Sequence, residues 1–260
     1  MKTSKAVEFI VDWIKKYKET NRINGFVVGV SGGVDSALTS TLCAMTGIKT
    51  LCINMPIRQK KEQYLRANNH INWLKDKFKN VNSLDLDLTN VFNEFKSSVE
   101  NYSEVNNLAL ANSRSRIRMT TLYYYAGIDN CIVVGTGNKV EDFGIGFYTK
   151  YGDGGVDISP IADLTKTDVF EMASKLKVNR DILNAKPTDG LWDDGRTDED
   201  QIGATYKELE WAMKNKDNNK KVEDFSGRER EVFEILIKFN SQNSHKMNPI
   251  PIFKVPEKLK

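Results

Sequence analysis

Ser31-Gly32-Gly33-Val34-Asp35-Ser36 is the run of this chain richest in chemistry. Two adjacent glycines let a backbone approach an anion without Cβ interference. The following N–H groups, and the N-terminus of a helix opening at Asp35, would point positive charge at that anion. Ser31 and Ser36 add hydroxyl donors. Asp35 is itself anionic and a poor direct contact for phosphate. It suits magnesium, which prefers carboxylate together with phosphate oxygens. A tight turn with a serine or aspartate cap is the plainer reading. Here strand, turn, acid and second serine occur together, which favours a pyrophosphate-binding loop. No Lys follows the glycines and Gly-x-Gly-x-x-Gly is absent, so neither the Walker loop nor the dinucleotide fingerprint applies.

A second group of candidates follows the apolar run Cys131 to Val134. Glu141 stands just past a predicted strand end, where it could meet the Asp35 carboxylate across a magnesium ion; Asp142 competes with it. Asp153 lies between Gly152 and Gly154, and its residue types alone read as a turn former. Asp157 is a second acid nearby. Lys150 and Lys166 suit phosphate oxygens as point charges. Arg114, Arg116 and Arg118 stand two apart on a predicted helix, so at most two can point at one ligand.

The elements that must position these residues alternate. Thr3 to Glu19 has helical spacing, with Thr3 or Ser4 as N-cap. Phe26 to Val30, Lys49 to Asn54, Val81 to Leu86 and Cys131 to Val134 read as buried strands. Asp35 to Met45, Lys60 to Phe78 and Leu108 to Tyr125 read as helices between them. That order predicts an α/β fold: a Rossmann-like, mainly parallel sheet with helices on both faces and ligands beyond the strand carboxyl ends. Gly135 to Asp157 and Lys186 to Asp200 read as long polar loops of functional type. Gln201 to Met213 and Ser226 to Phe239 read as helices.

The chain has 260 residues and a formal charge of +3, so no strong polyelectrolyte partner, nucleic acid included, is implied. Cys43, Cys52 and Cys131 are odd in number and widely spaced, which argues for a reducing, cytoplasmic setting and against disulfides or zinc. His70 and His245 stand far apart, which speaks against a histidine metal site. No segment is long and apolar enough to span a membrane.

The hexapeptide at Ser31 resembles the pyrophosphate loop of the N-type ATP pyrophosphatases, an adenine nucleotide alpha-hydrolase-like fold. Within that superfamily, several segments are similar to the NAD synthetase family. They are Gly135-Thr136-Gly137-Asn138-Lys139-Val140-Glu141, Gly146 to Asp157 and Asp163-Leu164-Thr165-Lys166. Asn112 to Met119, Lys186-Pro187-Thr188, Leu191-Trp192, Thr197 to Asp200 and His245-Lys246 extend the likeness over nearly the whole chain. The resemblance implies one NAD synthetase domain over residues 1–260, without a glutaminase domain. It implies ATP-dependent amidation of deamido-NAD by ammonia through an adenylate, with two magnesium ions, in a homodimer.

Residue by residue, the resemblance assigns ATP and pyrophosphate binding to Ser31, Gly32, Gly33, Val34, Asp35, Ser36, Arg118, Thr136, Lys166 and Thr188. It assigns magnesium to Asp35 and Glu141, and deamido-NAD to Asn112, Arg116, Lys150, Asp157, Glu199, His245 and Lys246. It makes Asp153 the group that binds ammonium and draws off its proton, with Lys166 and Asp157 as further catalytic residues. Two departures stand out. One residue more than is usual separates Glu141 from Thr149. Asn54 stands where many family members carry an arginine near the adenine pocket, for which Arg58 could substitute. The competing readings are a tRNA-modifying relative and a non-catalytic nucleotide-binding protein of the same fold.

Overall fold

The computed structural model describes residues 2–100, 106–188 and 196–260. Leu191 and Trp192 lie outside them. Strands β1 (Phe26–Gly29), β2 (Thr50–Asn54), β3 (Val81–Asp85) and β4 (Ile132–Val133) form one parallel sheet in the order β3-β2-β1-β4. Phe26 pairs with Thr50 on one side and Ile132 on the other. The order therefore reverses at β1, the place where open parallel sheets leave a crevice for ligands.

The helices are α1 (Thr3–Asn21), α2 (Val34–Met45), α3 (Lys61–Lys77), α4 (Thr89–Glu100), α5 (Asn107–Ile128), α6 (Lys166–Lys175), α7 (Arg180–Leu183), α8 (Asp198–Ile202), α9 (Tyr206–Asp217) and α10 (Gly227–Met247). Successive strand side chains point to opposite faces. Phe26 and Val28 meet Ile14, Leu38, Val169 and Met172 from α1, α2 and α6. Val27, Ile53 and Val133 turn the other way, onto Leu122 and Ala126 of α5. Phe26 and Leu38 are fully buried, which stabilises the fold by roughly 1.5–3 kcal/mol each. A further cluster joins Leu209, Phe233 and Leu236 of α9 and α10 to Val140 and Ile145. It anchors the chain that follows β4.

Four local expectations change. Neither Thr3 nor Ser4 caps α1: Lys2 is the N-cap residue, and Thr3 Oγ1 donates to the Glu171 carboxylate instead. The expected helix from Gln201 to Met213 is broken, because α8 ends at Gly203 with φ 83° and α9 restarts on a Thr205–Glu208 capping box. Helix α10 runs eight residues past Phe239, to Met247, and carries His245 and Lys246. The glycine-rich stretch after Gly135 is not all loop: Lys139–Ile145 forms a π-helical turn, capped by Asn138 Oδ1, which accepts from Val140 N and Glu141 N. Such a turn accommodates one residue more than an α-helix over the same span.

Among the described residues no helix is long and apolar enough to cross a membrane. The outer edge of β4 is occupied by Asp157. Its N–H donates to Val133 O at 2.9 Å, and its Oδ2 accepts from Val133 N at 2.8 Å.

Candidate active site

The segment 31–36 leaves the carboxyl end of β1 and enters α2 at Val34. Gly32 has φ 82°, and a Cβ there would lie 2.7 Å from Gln63 O, so the turn requires glycine. The loop is held by its own hydroxyls. Ser36 Oγ accepts from Ser31 N and donates to Gly33 O, both at 3.1 Å, while Ser31 Oγ accepts from Gly33 N at 3.3 Å. Behind it, Ser40 Oγ donates to Ser36 O at 2.7 Å and lies 3.0 Å from Nε2 of the fully buried His70. Burial pushes the His70 pKa down to about 4.

The loop lines a cavity, and its Asp35 joins an ionic cluster in the cavity wall. Lys166, only 3% exposed, places Nζ 2.7 Å from Asp35 Oδ2 and 2.8 Å from Glu141 Oε1. The Tyr206 ring lies 4.7 Å from the same ammonium, and its hydroxyl donates to Glu141 Oε1 at 2.6 Å. Asn138 Nδ2 donates to Asp35 Oδ1 at 2.9 Å. Burial would lower the Lys166 pKa, but Asp35 and Glu141 outweigh it and the pKa rises. Burial raises the Asp35 pKa against the pull of Lys166. For Glu141 the opposing effect of burial is overcome by Lys166, Tyr206 and Asn138, and the pKa falls. Glu141, rather than Asp142, therefore shares a cation with Asp35. Asp142 packs beside Gly137, where a Cβ would strike its carboxylate, and its pKa is raised by burial and by Glu141, Asp153 and Asp35.

Two hard carboxylates that already share one cation fit a magnesium ion whose remaining ligands come from phosphate and water. Among the described residues no group of three or more His, Cys, Asp or Glu side chains forms a metal cage.

Asp153 lines the same cavity, although the residue keeps an exposed flank. It exchanges two hydrogen bonds with Ser115: Ser115 Oγ donates to Oδ1 at 2.6 Å and accepts from Asp153 N at 2.8 Å. Thr149 N also donates to Oδ1, at 3.0 Å. Burial raises the Asp153 pKa, and these donors oppose the rise. Arg118 reaches the cavity from α5, donating to Met55 O at 2.9 Å and Gln59 Oε1 at 3.0 Å. Burial, reinforced by Arg114, lowers its pKa to about 10.

The cavity thus gathers the whole loop 31–36 with Arg118, Thr136, Glu141, Asp153, Lys166 and Thr188. The residues expected to hold only the dinucleotide do not line it. Five of them gather on a neighbouring surface instead. Asn112 Oδ1 accepts from Thr149 Oγ1, Arg116 donates to Lys150 O, and Lys150 Nζ donates to His245 O. Lys246 Nζ donates to Gly146 O and Tyr148 O, both at 2.9 Å.

Asp157 and Glu199 join neither group. Asp157 is committed to the β4 edge and to the Tyr123 hydroxyl at 3.1 Å. Glu199 Oε1 accepts from Tyr206 N at the start of α9. Arg58 turns to Asn93 Oδ1 and the Phe92 ring, and does not line the cavity. Sequence reasoning missed Tyr206, Ser115 and the bridging role of Asn138. Ser115 and Asn138 sat inside segments singled out for other residues; Tyr206 carried no signal beyond an aromatic at a helix start.

A parallel sheet with an anion loop at its reversal point and a lysine–carboxylate cluster facing that loop defines a nucleotide-binding α/β protein. The chain belongs to the NAD synthase family, whose sequence model matches residues 6–250. It is 40% identical over 221 residues to the NH(3)-dependent NAD(+) synthetase of Carboxydothermus hydrogenoformans, covering 84% of this chain and 88% of that one. The NH(3)-dependent NAD(+) synthetase of Archaeoglobus fulgidus is 35% identical over 263 residues, covering 100% of both. Among solved structures, the NMN synthetase of Francisella tularensis superposes with a TM-score of 0.84 at 29% identity, over 99% of each chain.

Proposed function

We propose that this chain amidates the nicotinate carboxylate of deamido-NAD with ammonia, at the expense of ATP. A carboxylate oxygen attacks the α-phosphorus and pyrophosphate leaves. Ammonia then attacks the acyl carbon, AMP departs with the bridging oxygen, and the nitrogen loses a proton. The products are NAD, AMP and pyrophosphate. The observation that carries this reading is one cavity lined by a pyrophosphate-type loop, a buried lysine and the Asp153 carboxylate. Such chemistry needs no enzyme nucleophile; it needs positioning, charge neutralisation and exclusion of water.

In this reading the N–H groups of 31–36 hold the leaving pyrophosphate, and Arg118, Thr136 and Thr188 line its path. Lys166 neutralises phosphate charge. Asp153 binds ammonium and accepts the proton lost by the attacking nitrogen. Magnesium, bound through Asp35 and Glu141, would neutralise the phosphates and polarise the α-phosphorus. Asn112, Arg116, Lys150, His245 and Lys246 would receive the dinucleotide on the surface beside the cavity. Asp157 and Glu199 do not line the cavity. A homodimer and a cytoplasmic location belong to the same reading.

The likeness to an NMN synthetase over 99% of both chains supports a second reading. The acceptor would then be the mononucleotide carboxylate, with the same chemistry and without the second nucleotide half. Mixing the protein with magnesium, ATP, ammonium and either acceptor distinguishes them by kcat/KM. AMP and pyrophosphate should appear in equal amounts to the amide, and glutamine should not replace ammonium. ADP and orthophosphate as products would sink both readings.

A further inference from the structure

Helix α3 backs the phosphate loop through its turn 63–67. A Cβ on Gly32 would lie 2.7 Å from Gln63 O, 3.0 Å from Ala67 N and 3.3 Å from Arg66 Cβ. The Arg66 side chain therefore starts against the loop. Its Nε donates to Gly32 O at 3.4 Å, and the residue lines the cavity. Among the described residues its Nη1 and Nη2 donate no hydrogen bond and pair with no carboxylate. A guanidinium is all donor, so that end is left for an acceptor from outside the protein. The other cations near the loop differ. Lys166 is held by Asp35 and Glu141, and Arg118 by Met55 O and Gln59 Oε1. Lys186 lines the cavity from the segment after α7. Asp35, Glu141 and Asp153 add negative charge to the same walls. A polyanion seated on 31–36 needs positive charge that the engaged pairs do not supply.

We propose that Arg66 binds the leaving pyrophosphate, closing the loop 31–36 from the α3 side with its guanidinium fork. The proposal rests on the ATP-dependent reading above and adds a residue to it. In the first step the acceptor carboxylate oxygen bonds to the α-phosphorus. The bond from that phosphorus to the bridging oxygen breaks, and its electron pair leaves on the pyrophosphate. The departing group thus gains charge that it did not carry within ATP. The loop N–H groups are neutral donors. Arg66 brings a full charge and a planar pair of donors matched to phosphate oxygens. Its bond to Gly32 O aims that fork from the loop itself. AMP lacks the β- and γ-phosphates and so has no group for Arg66 to hold.

Calorimetric titration with inorganic pyrophosphate and magnesium, and separately with AMP, tests this without turnover. Arg66→Met should weaken pyrophosphate binding roughly ten- to a hundredfold and leave AMP binding unchanged. Arg66→Lys keeps the charge but loses the fork, and should fall between. Added salt should weaken pyrophosphate binding more in the wild type than in Arg66→Met, because the variant has one charged contact fewer to screen. A residue that only braced Gly32 O would leave that salt dependence alike in both proteins. Methionine suits a helix about as well as arginine, and Arg66 is half-buried, so the variants should fold; melting temperatures check this. Wild-type pyrophosphate affinity in Arg66→Met, or an equal loss for pyrophosphate and AMP, would overturn the proposal and leave the ATP-dependent reading standing. A wild type that binds no pyrophosphate would overturn both.

Discussion

Lys166 and Asp35 stand 131 positions apart in the chain, and their charged atoms lie 2.7 Å apart. The same ammonium holds Glu141 at 2.8 Å. Removing it would leave two largely buried carboxylates facing each other. Lys166→Met should therefore lower stability by about 3 kcal/mol at pH 8 in a denaturant titration. The deficit should shrink toward pH 5. A carboxylate whose folded pKa is raised stabilises the folded state as it takes up a proton, and Asp35 is already shifted that way by burial. A variant as stable as the wild type at pH 8 would show that water already screens the cluster.

Asp35→Asn and Glu141→Gln differ from that change, because each leaves Lys166 one carboxylate partner. Melting temperatures should move little. Activity should fall roughly a hundredfold or more, since magnesium loses half its protein charge. Asp142→Asn should be mild by comparison, because Asp142 packs toward Gly137 and does not touch Lys166. An active Glu141→Gln beside an inactive Asp142→Asn would reverse the metal assignment.

Asp153→Asn can retain the bonds from Ser115 and Thr149 N through its amide oxygen. It loses the charge that attracts ammonium and the base that accepts a proton. Rapid quench with labelled ATP should show normal pyrophosphate release and slow amidation. High ammonium and high pH should recover part of the rate, because free ammonia is then abundant. Failure to release pyrophosphate at all would move Asp153 into the first step.

His70 offers a stability prediction behind the loop. Its Nδ1 has no hydrogen-bond partner among the described residues. Its pKa falls from an ordinary 6.5 to about 4. Above pH 6.5 the ring is neutral both folded and unfolded. Below it the unfolded chain takes a proton that the folded chain refuses, and stability falls until about pH 4. The loss over that window should be roughly 3 kcal/mol. Comparing wild type with His70→Gln across it isolates the effect; parallel pH profiles would refute it.

The phosphate loop was legible because its chemistry is local: adjacent glycines, hydroxyls and a strand–helix boundary lie within six residues. Lys166 and Glu141 were legible as residue types, but their shared position with Asp35 depends on long-range packing. Tyr206 shows the limit more clearly. Nothing around Thr205 says that an aromatic ring will lie over Lys166, since α9 is brought there by its own packing against α10 and the π-helical turn. Asp157 was legible as an acid but not in its placement at the β4 edge. It stands among residues singled out for binding, and its carboxylate accepts from the backbone of β4.

That use of Asp157 bears on how the sheet meets other chains. The β4 edge points its Val133 N–H and C=O away from β1, the arrangement that lets a foreign strand add on. One aspartate answers both groups, the carbonyl with its backbone and the N–H with its side chain. Replacing it with alanine would leave the N–H unanswered and offer that edge as a template for intermolecular β-pairing. With Ile158, which pairs beside Val134, the residue closes that edge of the sheet.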